Sequence, residues 1–423
     1  TNPSVGPMAS RHFISRYRTL ILISAAFVIA LSISAGPSFA RRQQSAPPPP
    51  SSTPWVESDS ARDLERAIAF YQQIVERGGW PTLPDRIILR PGDSGPNVAK
   101  LRQRLTLTGD LRTGRRNETA FDGTLAEAVK HFQARNGLEP NGIVYGITQR
   151  LLNVSAQDRV AQLKVNLQRM HELLPSLSGV PKYIVMNAAS FELQGIENGR
   201  VAIVSRTIAG KRTTPTPTVS TAIRAINILP YWHVPGTIAK AQIIPMIRKD
   251  LSYLYRENIR VFSTFGGKEI DPSQVNWWGP ESSHYVFRQE PGPNNALGVL
   301  RFDMPNKHIV YMHDTPMKKL FGYFERAFSA GCVRVQSFYD LADWILAGQD
   351  NWSKERLKAA VASEQPITIK LNRPVPVHFI YLTAWVENGV VYFRNDLYNR
   401  DEGRAQETDE ATESKFITQT LTP

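Results

Sequence analysis

The sequence predicts an α+β protein of several domains: a mainly-β C-terminal domain with a helical capping insertion, a small three-helix module, and a helical scaffold. Three observations carry this. The 423 residues correspond to two or three domains at roughly 150 residues each. Apolar residues recur at helical spacing as far as Leu174 and give way to short alternating runs from Lys182 onward. A stretch at 239–285 then interrupts the β pattern and is too long for an ordinary connection. Hydrophobic residues make up 42% and charged residues 21%, which excludes disorder throughout, a collagen-like repeat and a polytopic membrane protein.

From the N-terminus, Arg11, Arg16 and Arg18 precede an apolar stretch from Leu20 to Ile33, and small residues lead to Ser38 and Ala40. This is a secretory signal layout over 1–40, with cleavage expected after Ala40. An uncleaved anchor through 20–39 is the alternative, and either way the remainder is expected to be exported to the periplasm. Residues 41–54 are rich in Pro, Ser and Gln and read as an extended linker. Within 55–88, Leu64, Ala67, Ile68, Tyr71 and Ile74 mark a scaffold helix that stops at Gly78 and Gly79.

Residues 89–152 form a module of three short helices, marked by Val98, Leu101 and Leu105, by Ala128, Val129 and Phe132, and by Ile147 and Leu151. Gly137 occupies a helix C′ position, and Asn141-Gly142 reads as a turn. The second scaffold helix lies within 153–180, from Ala156 to Leu174. The β runs of 181–401 are YIVMN, FELQGI, RVAIVSRTI and HIVYMH, with a closing hairpin VHFIYLTAWVENGVVYF that turns at Asn388-Gly389. Residues 396–423 hold seven acids and three bases, so 402–423 is expected to be a solvated acidic tail.

The net charge of +12 suggests an anionic partner, but no zinc spacing, RNP-like run or dense basic block supports nucleic acid. The one cysteine, Cys332, is unusual for an exported chain, where a lone thiol needs burial or a task. It follows the small residues Ala330 and Gly331, a tight backbone that can turn N–H groups toward an oxyanion. His313 ends a strand 19 residues earlier and can act as the base such a thiol needs. His233 in YWHVP is the rival base. Asp314 should point to the opposite strand face from His313.

Residues 89–152, with their Gly-Asp-Ser-Gly opening, Phe132-Gln133 and Gly137-Leu138 to Gly142, resemble the peptidoglycan-binding type 1 module. HDTP followed by SAGCVRV resembles the L,D-transpeptidase (YkuD-type) motif, and GGWPTLP, PYWHVP, RQEPGPNNALG and YLTAW extend the resemblance to the YcbB-like subgroup. The resemblance implies Cys332 as nucleophile, His313 as its base, and Gly331 with Cys332 as backbone oxyanion donors. Ala330 stands where many relatives have His. A carbonyl at or near Ser329 is expected to fix the His313 tautomer. Substrate contacts are implied at Arg334, Ser329, Tyr311, Trp232 and Asn295, with a structural ion pair as the alternative for Arg334. Trp277 and Trp278 either cover the bound stem or pack the lid. The implied partners are a tetrapeptide stem as donor, a diaminopimelate amine as acceptor, and glycan strands at 89–152, all bound by a monomer. No metal or organic cofactor is indicated, and carbapenems are expected to acylate Cys332. The competing activities are L,D-carboxypeptidation, lipoprotein attachment, or a non-catalytic peptidoglycan-binding scaffold.

Overall fold

The computed structural model describes residues 53–112 and 119–402. The expected signal, all but the last two residues of the linker, and the acidic tail beyond Glu402 lie outside them. No described helix is long and apolar enough to cross a membrane.

Helix α1 (Ser58–Glu76) buries the stripe from Leu64 to Ile74, and Gly78 and Gly79 end it with φ of +89° and +78°. The module comprises α2 (Pro96–Leu107), α3 (Gly123–Arg135) and α4 (Ile147–Asn153), packed around Leu101, Leu105, Leu125, Val129 and Phe132. The Asp122 carboxylate caps α3 by accepting from the Leu125 N–H at 2.8 Å. Helix α5 (Ala156–Leu177), capped by Ser155, packs beside α1, and both cover the outer side of the β domain.

That domain is a closed barrel. Its strands are β1 (Lys182–Asn187), β2 (Glu192–Glu197), β3 (Arg200–Gly210) and β4 (Val219–Ile228). Later in the chain come β8 (Leu300–Asp303), β9 (Met312–His313), β10 (Ala327–Ser329), β11 (Val333–Val335) and β12 (Ile367–Ile380). The order β3-β11-β9-β8-β4-β12-β1-β2 closes because β2 pairs back onto β3, while β10 extends the β3 edge. Met186, Leu193, Phe302, Met312, Val333, Val335 and Val377 fill the interior, with α9 (Phe338–Leu346) packed against them. Helix α10 (Lys354–Ala362) follows, contributing Leu357 to the same core.

Three expectations need correction. The insertion is not purely helical and is wider than 239–285. It carries its own sheet of β5 (Trp232–His233), β7 (Val286–Gln289) and β6 (Ile259–Phe262), in the order β5-β7-β6, besides α6 (Gly236–Ile238), α7 (Ile244–Lys249) and α8 (Ser252–Arg256). Strands of two to four residues are too short to reveal alternation. The run HIVYMH pairs only at Met312–His313, because the Asn306 amide donates to the Met304 and Val310 carbonyls at 2.6 Å and Ile309 turns with φ +55°. VHFI belongs to the long β12. The hairpin proper is β13 (Ala384–Glu387) with β14 (Val390–Phe393), turning at Asn388 and Gly389 with φ of +51° and +74°.

The module is joined to this hairpin through buried charge. Arg135 holds Asp110 with two hydrogen bonds of 2.6 Å, donates to the Val391 carbonyl at 3.3 Å, and its own carbonyl accepts from Arg394 at 3.1 Å. Burial alone would raise the Asp110 carboxyl, but the Arg135 guanidinium and the His131 and Thr108 hydrogen bonds hold it at about 2. Asp110→Ala leaves a buried guanidinium without its carboxylate. It is expected to cost about 3–5 kcal/mol of stability, read as an earlier midpoint in chemical denaturation.

Candidate active site

Strands β8, β9 and β11 lie side by side, with Arg301 opposite His313 and His313 opposite Arg334. Paired residues share a face, and alternation adds Tyr311, two before His313, and Cys332, two before Arg334. Met312, Val333 and Val335, at the intervening positions, point into the core. Arg301, Tyr311, His313, Cys332 and Arg334 therefore gather on the outer face of the barrel. His313 and Cys332 are diagonal neighbours on parallel strands, and strand spacings of about 4.8 Å across and 3.3 Å per residue along put their Cα atoms about 8 Å apart, a gap that an imidazole and a thiol can close.

His313 is 4% exposed, and its Nδ1 contacts the Asp314 carbonyl. With Nδ1–H donating there, the lone pair is left on Nε2. The tautomer is thus set by a backbone carbonyl, as expected, but that of Asp314 and not one near Ser329. Burial, reinforced by Arg334 and opposed by the Asp314 and Leu297 carbonyls, lowers the imidazole to about 3. Burial also raises the Cys332 thiol, against the Tyr311 main-chain N–H, the Arg334 and Arg301 charges and the Tyr311 hydroxyl. The resting pair is a neutral thiol beside a neutral imidazole.

Asp314 points away from this pair, as its strand position requires. It receives Lys318 and the Val299 N–H, the latter at 3.1 Å. Gly298, at φ +63°, passes so close that an added Cβ would lie 2.3 Å from Asp314 Oδ2.

The turn bearing Cys332 is held from several sides. Gly331 has φ +117°, a conformation that side chains disfavour. Thr216 Oγ1 donates to the Gly331 carbonyl at 2.9 Å and accepts from the Gly210 N–H at 2.9 Å. Thr214 Oγ1 donates to the Ser329 carbonyl at 3.0 Å. Ser329 Oγ accepts from the Gly331 N–H at 3.0 Å and donates to the Cys332 carbonyl at 2.6 Å. Two expectations change here. Ser329 is 3% exposed, and its hydroxyl is spent on bracing the turn. The Gly331 N–H is engaged by Ser329, which leaves the Cys332 N–H as the available oxyanion donor of the two. Thr216→Val removes both hydrogen bonds of that hydroxyl. It is expected to cost about 1–3 kcal/mol and to lower kcat with little change in KM, measured by denaturation and steady-state kinetics.

Arg334 has a buried Nε without a partner, touches Met317 Sδ at 3.8 Å, and has no carboxylate partner among the described residues. The structural ion pair is therefore absent, and a guanidinium stands ready for an anion beside the thiol. Asn295 is 1% exposed and is also reassigned. Its amide donates to the Pro230 and Glu290 carbonyls at 3.0 Å each, and its oxygen accepts from the Leu297 N–H at 2.9 Å. It ties together the two chain segments entering the insertion. Trp232, on β5, turns its indole toward the Tyr311 hydroxyl, so the insertion reaches the nucleophile's neighbour. The rival His233 is exposed on that same strand, its ring 5.1 Å from Phe265. Trp277 is buried in the insertion's own core, whereas Trp278 is 75% exposed.

Arg301, Thr214 and Thr216 were not singled out from the sequence. Arg301 lies over the Tyr311 ring at 5.4 Å and is held by Asn227 at 3.0 Å. The alternation LRFD carried a signal for it, while the threonines of the loop before β4 carried none. No group of three or more His, Cys, Asp or Glu side chains suited to a metal occurs among the described residues.

The site combines a lone cysteine, a tautomer-fixed neutral histidine and an uncompensated arginine, which suits acyl transfer through sulfur. Residues 181–369 match the family of the L,D-transpeptidase catalytic domain. The chain carries an L,D-transpeptidase catalytic domain. Residues 94–152 match a family described as a peptidoglycan binding domain. A Haemophilus influenzae protein provisionally named an L,D-transpeptidase is 30% identical over 249 residues, 58% of this chain and 50% of that protein. This chain thus spans about half the length of that relative. Remote likenesses include L,D-transpeptidase structures from Xylanimonas cellulosilytica (16% identity, 71% of this chain and 100% of that one, TM-score 0.22) and Stackebrandtia nassauensis (13%, 71% and 97%, TM-score 0.24). At those scores they carry no argument. Within the transpeptidase domain, Cys332 and His313 occupy one outer face and the insertion stands beside them.

Proposed function

We propose that this protein is an exported peptidoglycan L,D-transpeptidase of the YcbB-like kind that forms 3→3 cross-links. The observation that carries the reading is the placement of Cys332, neutral His313 and unpaired Arg334 on one face. As Cys332 Sγ attacks the carbonyl carbon of the L-centre of diaminopimelate in a tetrapeptide stem, His313 Nε2 accepts the thiol proton. The Cys332 N–H faces the developing oxyanion. The bond to terminal D-Ala breaks, its nitrogen takes the proton from His313, and a thioester remains. The side-chain amine of a second stem then attacks, the C–S bond breaks, and the proton returns to sulfur through His313.

Arg334 would meet the terminal carboxylate of the donor, and Tyr311 with Trp232 would line its path. The insertion shelters the thioester from water, favouring amine over water as acceptor. The module would add avidity for the wall, and a wall substrate together with the secretory signal layout over 1–40 supports work in the periplasm, with an uncleaved anchor through 20–39 as the alternative. The same nucleophile would be acylated by carbapenems.

The test incubates the protein and its Cys332→Ala variant with purified disaccharide tetrapeptide and identifies products by mass spectrometry. A dimer lacking one D-Ala, formed by the parent only, is expected. Tripeptide monomer alone would assign L,D-carboxypeptidation. Attachment of a lipoprotein lysine, with no dimer, would assign the other acceptor. No turnover by either protein would leave a peptidoglycan-binding scaffold.

A further inference from the structure

Past β14, residues 396–401 fold into a tight turn. The Asp396 carboxylate accepts from the main-chain N–H groups of Arg400 and Asp401 at 2.9 and 2.8 Å, and Asn399 turns with φ +52°. The motif YLTAW, which the mechanism above leaves unused, anchors this turn. The Tyr381 hydroxyl donates to Asp396 Oδ1 at 2.8 Å and accepts from the Tyr398 N–H at 2.9 Å. The Tyr381 and Tyr398 rings stack at 5.2 Å, the Arg400 guanidinium lies over both, and Thr383 donates to Asp401 at 2.7 Å. Arg169 of α5 ties the far end, donating to the Asp401 carboxylate at 2.6 Å and to the Arg400 carbonyl at 2.7 Å.

So anchored, the segment grips the loop between β3 and β4. The Tyr398 hydroxyl donates to the Gly210 carbonyl at 2.7 Å, Arg400 donates to the Thr216 carbonyl at 3.0 Å, and Arg212 donates back to the Leu397 carbonyl at 3.0 Å. Gly210 has no room for a Cβ against the Thr214 carbonyl, so the loop is tightly folded and its two ends move together. This loop in turn holds the nucleophile's turn, through the Thr216 hydroxyl on the Gly331 carbonyl. That carbonyl and the Cys332 N–H belong to one planar trans peptide and point in opposite directions. Whatever fixes the carbonyl therefore aims the N–H, which is the available oxyanion donor. A donor helps an acyl transfer only when it is in place before the charge develops.

We propose that residues 396–401 are a strap that sets the aim of the oxyanion donor, with Tyr398 and Arg400 as positioning residues for acylation of Cys332. The proposal rests on the transpeptidase reading above. Both side chains act through Gly210 and Thr216 and not on substrate. The strap also gives the scaffold a share in the site, because its outer anchor is Arg169 on α5.

The experiment follows turnover of disaccharide tetrapeptide by the full chain and by Tyr398→Phe, Arg400→Ala and Arg400→Lys, with hydrogen exchange measured on each. Tyr398→Phe removes one hydroxyl and keeps the ring stacked on Tyr381, so it tests the strap even where Arg400→Ala folds poorly. Tyr398→Phe and Arg400→Ala are expected to lower kcat by at least about tenfold and to leave KM within about twofold, as misplacement of a catalytic group does. Arg400→Lys is expected to recover part of the loss, because an ammonium still donates to the Thr216 carbonyl. Amide exchange at 329–335 is expected to quicken in Tyr398→Phe and Arg400→Ala, while α2 in the module keeps the parent's rates. Parent-like kcat in those two variants, a change confined to KM, or quickened exchange at 396–401 with none at 329–335 would overturn the proposal. Exchange needs no substrate, so the two readings fail separately. A parent without turnover, whose variants still loosen at 329–335, counts against the catalytic reading alone. Turnover that the three substitutions leave untouched counts against the strap alone.

Discussion

Cys332→Ala is expected to lower turnover of disaccharide tetrapeptide by at least about 10⁴-fold while leaving donor affinity within a few-fold of the parent. The thiol is the one group at this site that can form the covalent intermediate, and without it only binding and the oxyanion donor remain. Affinity survives because the proposed carboxylate contact, Arg334, and the neighbouring Tyr311 and Trp232 are untouched. Steady-state kinetics give the first number and a calorimetric titration the second. A loss of only tenfold would place the nucleophile elsewhere.

The second large effect is at the base. His313→Gln is expected to lower kcat by about 10²–10⁴-fold, and the pH profile separates this role from a structural one. An exposed histidine gives an acid limb near pH 6.5. Burial and the Arg334 charge take His313 down to about 3, so the parent's kcat/KM should stay flat from about pH 5 to 8. The raised Cys332 thiol gives no thiolate-driven rise within that window. A limb between pH 6 and 7 would contradict the neutral pair.

The same shift acts on stability. The folded state keeps His313 neutral while the unfolded chain protonates it below about 6.5. Stability contributed at this residue is therefore full above pH 6.5 and declines as pH falls toward 3. His313→Gln removes that decline, which denaturation at a series of pH values would reveal.

Much of the architecture was legible because its signals are local. The module's helices announce themselves through Leu101, Leu105, Val129 and Phe132 at helical spacing, and the Cys332 turn through a lone thiol after Ala330 and Gly331. What escaped depends on long-range closure. Nothing near Glu192 or Arg206 says that β2 and β3 pair to close a barrel. Nothing near Thr216 says that its hydroxyl holds a carbonyl 115 positions away. Ser329 and Asn295 looked like substrate contacts because they sit in recognisable motifs, yet their polar atoms are spent on neighbouring main chain. Polarity in a motif does not reveal whether a side chain faces the ligand or the backbone that shapes the site. The insertion's strands were missed for a simpler reason: four-residue segments such as Val286–Gln289 are below the length at which alternation can be told from chance.

The most direct measurement of the thioester mechanism is the intact mass of the protein, quenched in acid during turnover of disaccharide tetrapeptide, followed by peptide mapping. The predicted result is an adduct equal to the donor minus D-Ala on the peptide containing Cys332, labile to hydroxylamine and absent from Cys332→Ala. Cross-linked product formed with no adduct at Cys332, or an adduct on another residue, would contradict it.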